Sequence, residues 1–344
     1  MLALRKTEAG EGLTLVEVPE PGAPGAGDIQ IEVAATGICG SDLSIEKWSP
    51  MYDAFMASRL PVTLGHEVAG RVAAVGAGVN AFGVGDRVVI NPAVACGQCA
   101  MCLAGDPIAC TDRQAVGMVR DGAFARLFNV PAAYAFRLAD NVPIELGALV
   151  EPLSVSTHAL ITGGMAPGKS VIVFGPGPIG QGVAAMARYM GAPSVTIVGM
   201  NDGPRFDVLR RMGFTSFIDM AESGAAASLG KLAQQFDIAV EAAGVPSVID
   251  QALGTLKQEG VLAVSGMGEK PAQIDVVRLV RNRLQIRGAS RIPPSVFPLV
   301  LAALAADPDF FAPLVTHRMK LSQADAAFRL ARAGEASKVV LIPD

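Results

Sequence analysis

Four cysteines fall within fifteen residues, as Cys96-Gly-Gln-Cys99-Ala-Met-Cys102 followed by Cys110. Thiolates this close repel one another unless a cation sits among them, and four soft sulfurs in a tight loop match a closed tetrahedral zinc site. Such a site keeps no open position, so its work is structural. Catalysis has to be sought in Cys39-Gly-Ser41-Asp42, in Gly65-His66-Glu67 and in Glu151-Pro-Leu. Each has a plain structural explanation when taken alone: Cys39 as a small buried apolar residue, His66 as a hydrogen-bonded core histidine, Glu151 as a charge at a helix start.

A further constellation is the run Val171-Ile-Val-Phe-Gly175-Pro-Gly177-Pro178-Ile179-Gly180, an apolar strand passing through three glycines into a helix. Its glycines suit a tight turn, close approach of backbone to a pyrophosphate, and close packing of helix on strand, with the helix N-terminus facing the phosphates. Further strands are expected at 195–198, 237–241, 261–265 and 284–287, with helical stretches between them, which is the pattern of a doubly wound parallel sheet. The N-terminal third reads as short strands, among them 29–34, 67–75 and 87–90, with no sustained helical period. After about residue 290 come helices near 295–306 and 322–333 and a last strand at 338–342.

A chain of 344 residues suggests two domains. The net charge of -4, with no basic run, gives no field for tracking a phosphate backbone, so nucleic acid is not an expected partner. Residues 1–30 lack the apolar core of an export signal, and the longest helical-looking apolar stretch, 297–306, falls short of the ~20 residues that span a bilayer. No membrane partner is expected. Clustered cysteines in such a chain favour metal thiolates over disulfides, and the expected location is the cytoplasm.

Taken together these residues resemble the zinc-containing medium-chain dehydrogenases, most closely the sorbitol and threonine dehydrogenase branch. The resemblance runs along the chain through Gly37-Ile-Cys-Gly-Ser-Asp42, Gly65-His-Glu67, Gly83-Val-Gly-Asp-Arg-Val88, the four-cysteine lobe, Asp121-Gly-Ala-Phe-Ala125, Glu151-Pro-Leu153, the glycine turn and Leu314-Val-Thr-His-Arg318. It implies an α/β chain in which a Rossmann doubly wound sheet, residues 153–290, is inserted into a mainly β, partly open GroES-like barrel made of residues 1–152 and 291–344. It implies two zinc ions per chain: a structural one on Cys96, Cys99, Cys102 and Cys110, and a catalytic one on Cys39 and His66 with Glu67 or Glu151. Asp42 matches the residue that orients the ligating histidine, and Ser41 the hydroxyl that touches the substrate oxygen and passes its proton outward. The activity implied is hydride transfer between an alcohol or polyol carbinol and NAD or NADP. A zinc-free quinone or enoyl reductase and a non-catalytic nucleotide-binding relative are the alternatives.

Two departures stand out. Ser44 occupies the position where many relatives carry a histidine of the proton exit path, and the segment 48–59, with Trp48, Tyr52 and Phe55, is longer than usual and suited either to lining a substrate cleft or to packing. His158 and His317 read as structural. A carboxylate about 20 residues beyond the glycine turn would select NAD, but the count reaches Met200. Asn201 suits either cofactor, Arg205 favours a phosphate and Asp202 opposes one, so NAD is only slightly favoured. The sheet edge near 284–287 would be unpaired in a monomer, and the resemblance implies that subunits join there as a homotetramer or homodimer.

Overall fold

Ile29, Ile31 and Val33 alternate with Gln30 and Glu32, the two-residue period of a strand with one face in a core, and they lie in the 10-residue strand Asp28–Gly37. The structure, a computed structural model, describes residues 1–344 apart from Glu269. It divides into one unit of Met1–Glu151, Phe297–Pro308 and Val315–Asp344, and a second of Pro152–Val296 with Asp309–Leu314.

In the first unit the strand Asp28–Gly37 pairs antiparallel with Glu67–Val75, with Leu127–Pro131 at its start and with Lys338–Ile342 at its end. Two register shifts bend it, and bulges of this kind curl a sheet towards a barrel. The seven-stranded sheet runs Ala135–Arg137, Arg87–Ile90, Glu67–Val75, Asp28–Gly37, Lys338–Ile342, Val315–Lys320, with Leu127–Pro131 off this path. Leu4, Ile38, Leu64, Phe124, Phe328 and Leu341 share one core. Residues from both chain ends therefore close over the strand that leads to Cys39.

The second unit is a six-stranded parallel sheet in the order Ser216–Asp219, Val195–Gly199, Val171–Phe174, Phe236–Glu241, Leu256–Val264, Gln285–Gly288. This is the 3-2-1-4-5-6 order of a doubly wound dinucleotide-binding sheet. Val171–Phe174 is buried at every position, as expected of a central parallel strand covered on both faces.

Three sequence expectations need correction. The strand Ser216–Asp219 was not anticipated, because only four residues carry it and none is fully buried. The N-terminal third does hold helices, Gly40–Glu46 and Pro50–Met56, each of 7 residues, too few turns to show a period. The longest apolar helical run is Ile144–Thr162, not 297–306. Its 19 residues are long and apolar enough to cross a membrane, yet 67% of the most apolar stretch is buried inside the protein, which makes it a core helix.

Candidate active site

The four-cysteine loop closes into a cluster. Its Sγ atoms stand 3.5 Å apart for Cys99 and Cys102, 3.6 Å for Cys96 and Cys110, 3.9 Å for Cys99 and Cys110 and 4.0 Å for Cys96 and Cys102. A tetrahedral zinc with Zn–S of about 2.3 Å requires sulfurs ~3.8 Å apart, so the spacing fits that ion. Backbone amides of Thr111 and Cys102 draw the Cys99 thiol down to about 5, while burial and the neighbouring thiol of Cys99 push Cys102 up to about 12.

The second donor set converges from three elements of the same unit. Cys39 follows the strand Asp28–Gly37 and caps the helix Gly40–Glu46, and the Asp42 carboxylate returns to accept the Cys39 amide at 2.9 Å. His66 and Glu67 sit at the start of the neighbouring strand, where Gly65 takes a φ of 91° and a Cβ would meet the Phe124 ring at 2.6 Å. The ligand atoms of Cys39, His66 and Glu67 all lie within 4.8 Å of one another. On the far side of the imidazole, His66 Nδ1 faces Asp42 Oδ1 at 3.7 Å. Both atoms are buried and neither has a hydrogen-bond partner among the described residues. Asp42 is thus placed to fix the ring through its second nitrogen.

Burial opposes a charged His66, yet Asp42, Cys39 and Glu151 together hold its pKa well above the ordinary value. Burial raises Asp42 to about 6 and Glu151 to about 7. The site therefore carries more buried acid than base and is set up to receive a cation. Glu151 stands near His66 and Glu67 but outside the 4.8 Å cluster.

Lys338 was not singled out from the sequence. Its Nζ donates to Glu67 Oε1 at 2.8 Å, to Oε2 at 2.7 Å and to the Ile38 carbonyl at 3.0 Å, with both side chains buried. Gly37 makes room for the pair, since a Cβ there would fall 2.1 Å from Glu67 Oε2. Lys338 opens the last strand, a position that reads in sequence as an ordinary solvated lysine.

Ser41 Oγ stands 3.4 Å from His66 Nε2. Tyr52, on the helix Pro50–Met56, is buried and its hydroxyl bonds to Ser41. Burial, with Cys39 and Asp42 nearby, pushes that hydroxyl up to about 12, so it stays neutral. The other two aromatics of the segment go elsewhere: the Trp48 indole donates to Asp53 at 3.0 Å and Phe55 is exposed. Ser44 turns its hydroxyl back to the Gly40 carbonyl at 3.1 Å. His158 faces the Ser290 carbonyl and His317 faces Thr316, each at hydrogen-bond distance and apart from either donor cluster.

In the second unit Gly175 has a φ of 96° and a Cβ there would strike Ala243. A Cβ on Gly180 would lie 1.8 Å from the Gly175 carbonyl, while around Gly177 nothing lies within 4 Å. The turn is thus closed on the protein side and open in front of the helix that begins Pro178-Ile179, the shape a pyrophosphate needs. Met200 is exposed, Asn201 adopts a φ of 58°, and Arg205 pairs with Asp202 at 3.0 Å.

Comparison with known proteins bears on the family and the fold. Residues 25–140 match the alcohol dehydrogenase GroES-like domain and residues 178–306 the zinc-binding dehydrogenase family. The chain is 33% identical to the L-threonine 3-dehydrogenase of Idiomarina loihiensis over 343 residues, 99% of both chains. Among solved structures it resembles the 2R,3R-butanediol dehydrogenase of Bacillus subtilis, with TM-score 0.89, 27% identity, and coverage of 100% of this chain and 99% of that one. It also resembles a protein of Escherichia coli CFT073 described as a short chain alcohol dehydrogenase and solved in complex with NADH, with TM-score 0.87, 25% identity and 99% coverage of each. The chain belongs to the zinc-dependent medium-chain alcohol and polyol dehydrogenases, oxidoreductases that act on a CH–OH group with NAD or NADP.

Proposed function

We propose that this protein oxidises the secondary carbinol of a small alcohol, diol or amino alcohol to the ketone, and the reverse, with Cys39, His66 and Glu67 as the protein ligands of its catalytic zinc. The observation that carries this is the convergence of those three donors within 4.8 Å, backed by Asp42. In this reading residues 1–152 and 291–344 form the catalytic domain, with structural zinc on the four-cysteine lobe, and residues 153–290 form the nucleotide domain. When bound, the zinc lowers the pKa of the alcohol and the nicotinamide takes up its hydride.

The protein's own groups prepare the site. Asp42 fixes the His66 ring, and Lys338 holds both carboxylate oxygens of Glu67. Ser41 takes the alcohol's hydrogen bond as its own hydroxyl proton passes outward, and Tyr52, hydrogen-bonded to Ser41, holds that side chain in place. Glu151, with its pKa near neutrality, is an acid of suitable strength beside the cluster. Ser44 takes no part, since its hydroxyl is spent within its own helix.

A panel of secondary alcohols, vicinal diols and threonine-like amino alcohols, followed by nicotinamide absorbance, tests the reading. Turnover should be found with at least one class. Ser41→Ala should lower that turnover on the order of 10²-fold, the scale of a positioned acid or base, with metal content intact, and Ser44→Ala should leave it unchanged. Full activity in Ser41→Ala would remove Ser41 from the proton path.

We further propose a homodimer joined sheet to sheet, with a homotetramer as its further assembly, in the reducing cytoplasm, where five cysteines outside any disulfide are kept available for metal. The edge strand Gln285–Gly288 is exposed at all four residues, and Val276, Val277 and Val280 of the preceding helix are 57%, 61% and 68% exposed. An open strand edge beside an exposed apolar helix face of this kind is suited to pairing with a second copy. Ile286→Lys with Val280→Glu should shift sedimentation to the monomer, and an unchanged oligomer would place the interface elsewhere.

A further inference from the structure

The second strand of the parallel sheet, Val195–Gly199, ends on a glycine, where a dinucleotide domain specific for NAD ordinarily carries an acid. A Cβ built on Gly199 would lie 2.8 Å from Asp202 Oδ2 and 2.9 Å from Cγ of Pro176 in the glycine turn. The Asp202 carboxylate thus fills the space that a side chain at 199 would take, directly beside the turn. The backbone makes this return possible, because Asn201 reverses direction at a φ of 58° and Asp202 immediately precedes the helix Gly203–Arg211.

The carboxylate is fixed where it lies. The Met200 amide donates to Oδ2 at 3.0 Å and the Arg205 guanidinium to Oδ1 at 3.0 Å. A carboxylate has about four lone-pair directions, so two remain for hydroxyls, and the side chain keeps an open edge at 17% exposure. A second acid stands alongside. Asp219 is in register with Gly199 and accepts the amides of Asn201 at 2.9 Å and Ala221 at 3.0 Å. The nearby cations are already paired: Arg205 with Asp202, and Arg210 with Asp207 at 2.6 Å.

We propose that Asp202 selects NAD over NADP, standing in from the far side of the loop for the acid that the strand end lacks. It accepts the hydroxyls of the adenosine ribose, and with Asp219 it repels a 2′-phosphate while holding Arg205 away from one. This rests on the reading of the second unit as the nucleotide site.

The test is calorimetric binding of NAD and of NADP to the zinc-loaded protein and to Asp202→Asn, Asp202→Ala and the double variant Asp202→Ala with Arg205→Ala, with thermal unfolding to confirm that each is folded. The wild type should bind NAD about 10- to 100-fold more tightly than NADP, the scale of a charge-assisted hydrogen bond. Asp202→Ala should lose about 10-fold or more for NAD and gain for NADP through the released Arg205. The double variant should lose that gain, and Asp202→Asn should fall between. A wild type that prefers NADP, or a ratio unmoved by Asp202→Ala, overturns the assignment. Failure of the wild type to bind either nucleotide would overturn the nucleotide site itself.

Discussion

Cys39→Ala is expected to lower zinc from about two ions per chain to about one and to cut turnover by about 10³-fold or more, with thermal unfolding little changed. The size follows from the chemistry lost: Lewis-acid stabilisation is worth several kcal/mol, at 1.36 kcal/mol per decade of rate. Folding survives because Cys39 caps a helix of only 7 residues at the end of a strand that keeps its three partners. Cys102→Ala should do the opposite. It opens a lobe whose only regular elements are a 4-residue and a 3-residue helix and a two-stranded sheet, so stability and solubility should fall before specific activity per remaining zinc does. Metal analysis beside single-turnover kinetics separates the two, and exchanged phenotypes would exchange the sites.

Lys338→Met should be the most damaging change away from the proposed ligands. Removing one partner of a buried ion pair leaves the other charge uncompensated and costs about 3–5 kcal/mol. Glu67→Gln in the same chain should restore most of the stability and none of the activity. The loss should be larger in chelator-treated protein than in zinc-loaded protein, because the metal offers Glu67 a second positive charge. Burial opposes the Lys338 ammonium, but Glu67 and Cys39 hold its pKa above the ordinary 10.5. A raised folded pKa means that its contribution is complete below 10.5 and is lost as pH rises through the folded value. Denaturant titrations at alkaline pH should therefore show an unfolding limb that Lys338→Met lacks. Equal stability of wild type and variant on both sides of that limb would mean that the pair carries no weight.

What the sequence disclosed and what it hid follow from how far apart the partners lie. The four-cysteine lobe was legible because its ligands are neighbours along the chain, and the glycine turn because strand, turn and helix are consecutive. The pair Glu67 and Lys338 was not, since 271 residues separate the two and neither has a local pattern. Tyr52 was visible only as one of three aromatics in an unusual segment, and which of them turns inward depends on the helix Pro50–Met56, too short to announce itself. In sequence Asp202 and Arg205 argue for opposite cofactors, whereas in the fold the two bind each other. Asp219 escaped notice along with its four-residue strand.

The join between Glu67 and the last strand also orders events during synthesis. At roughly 5–20 residues per second, the 271 residues between Glu67 and Lys338 take roughly 15 to 50 s to follow. Throughout that interval Asp28–Gly37 lacks its partner Lys338–Ile342, and Glu67 lacks its counter-ion. The parallel sheet, continuous in sequence from Val171 to Gly288, emerges whole before then. The strands of the parallel sheet are thus all made while the Cys39, His66 and Glu67 cluster still waits for Lys338, and the final strand is the latch that completes it.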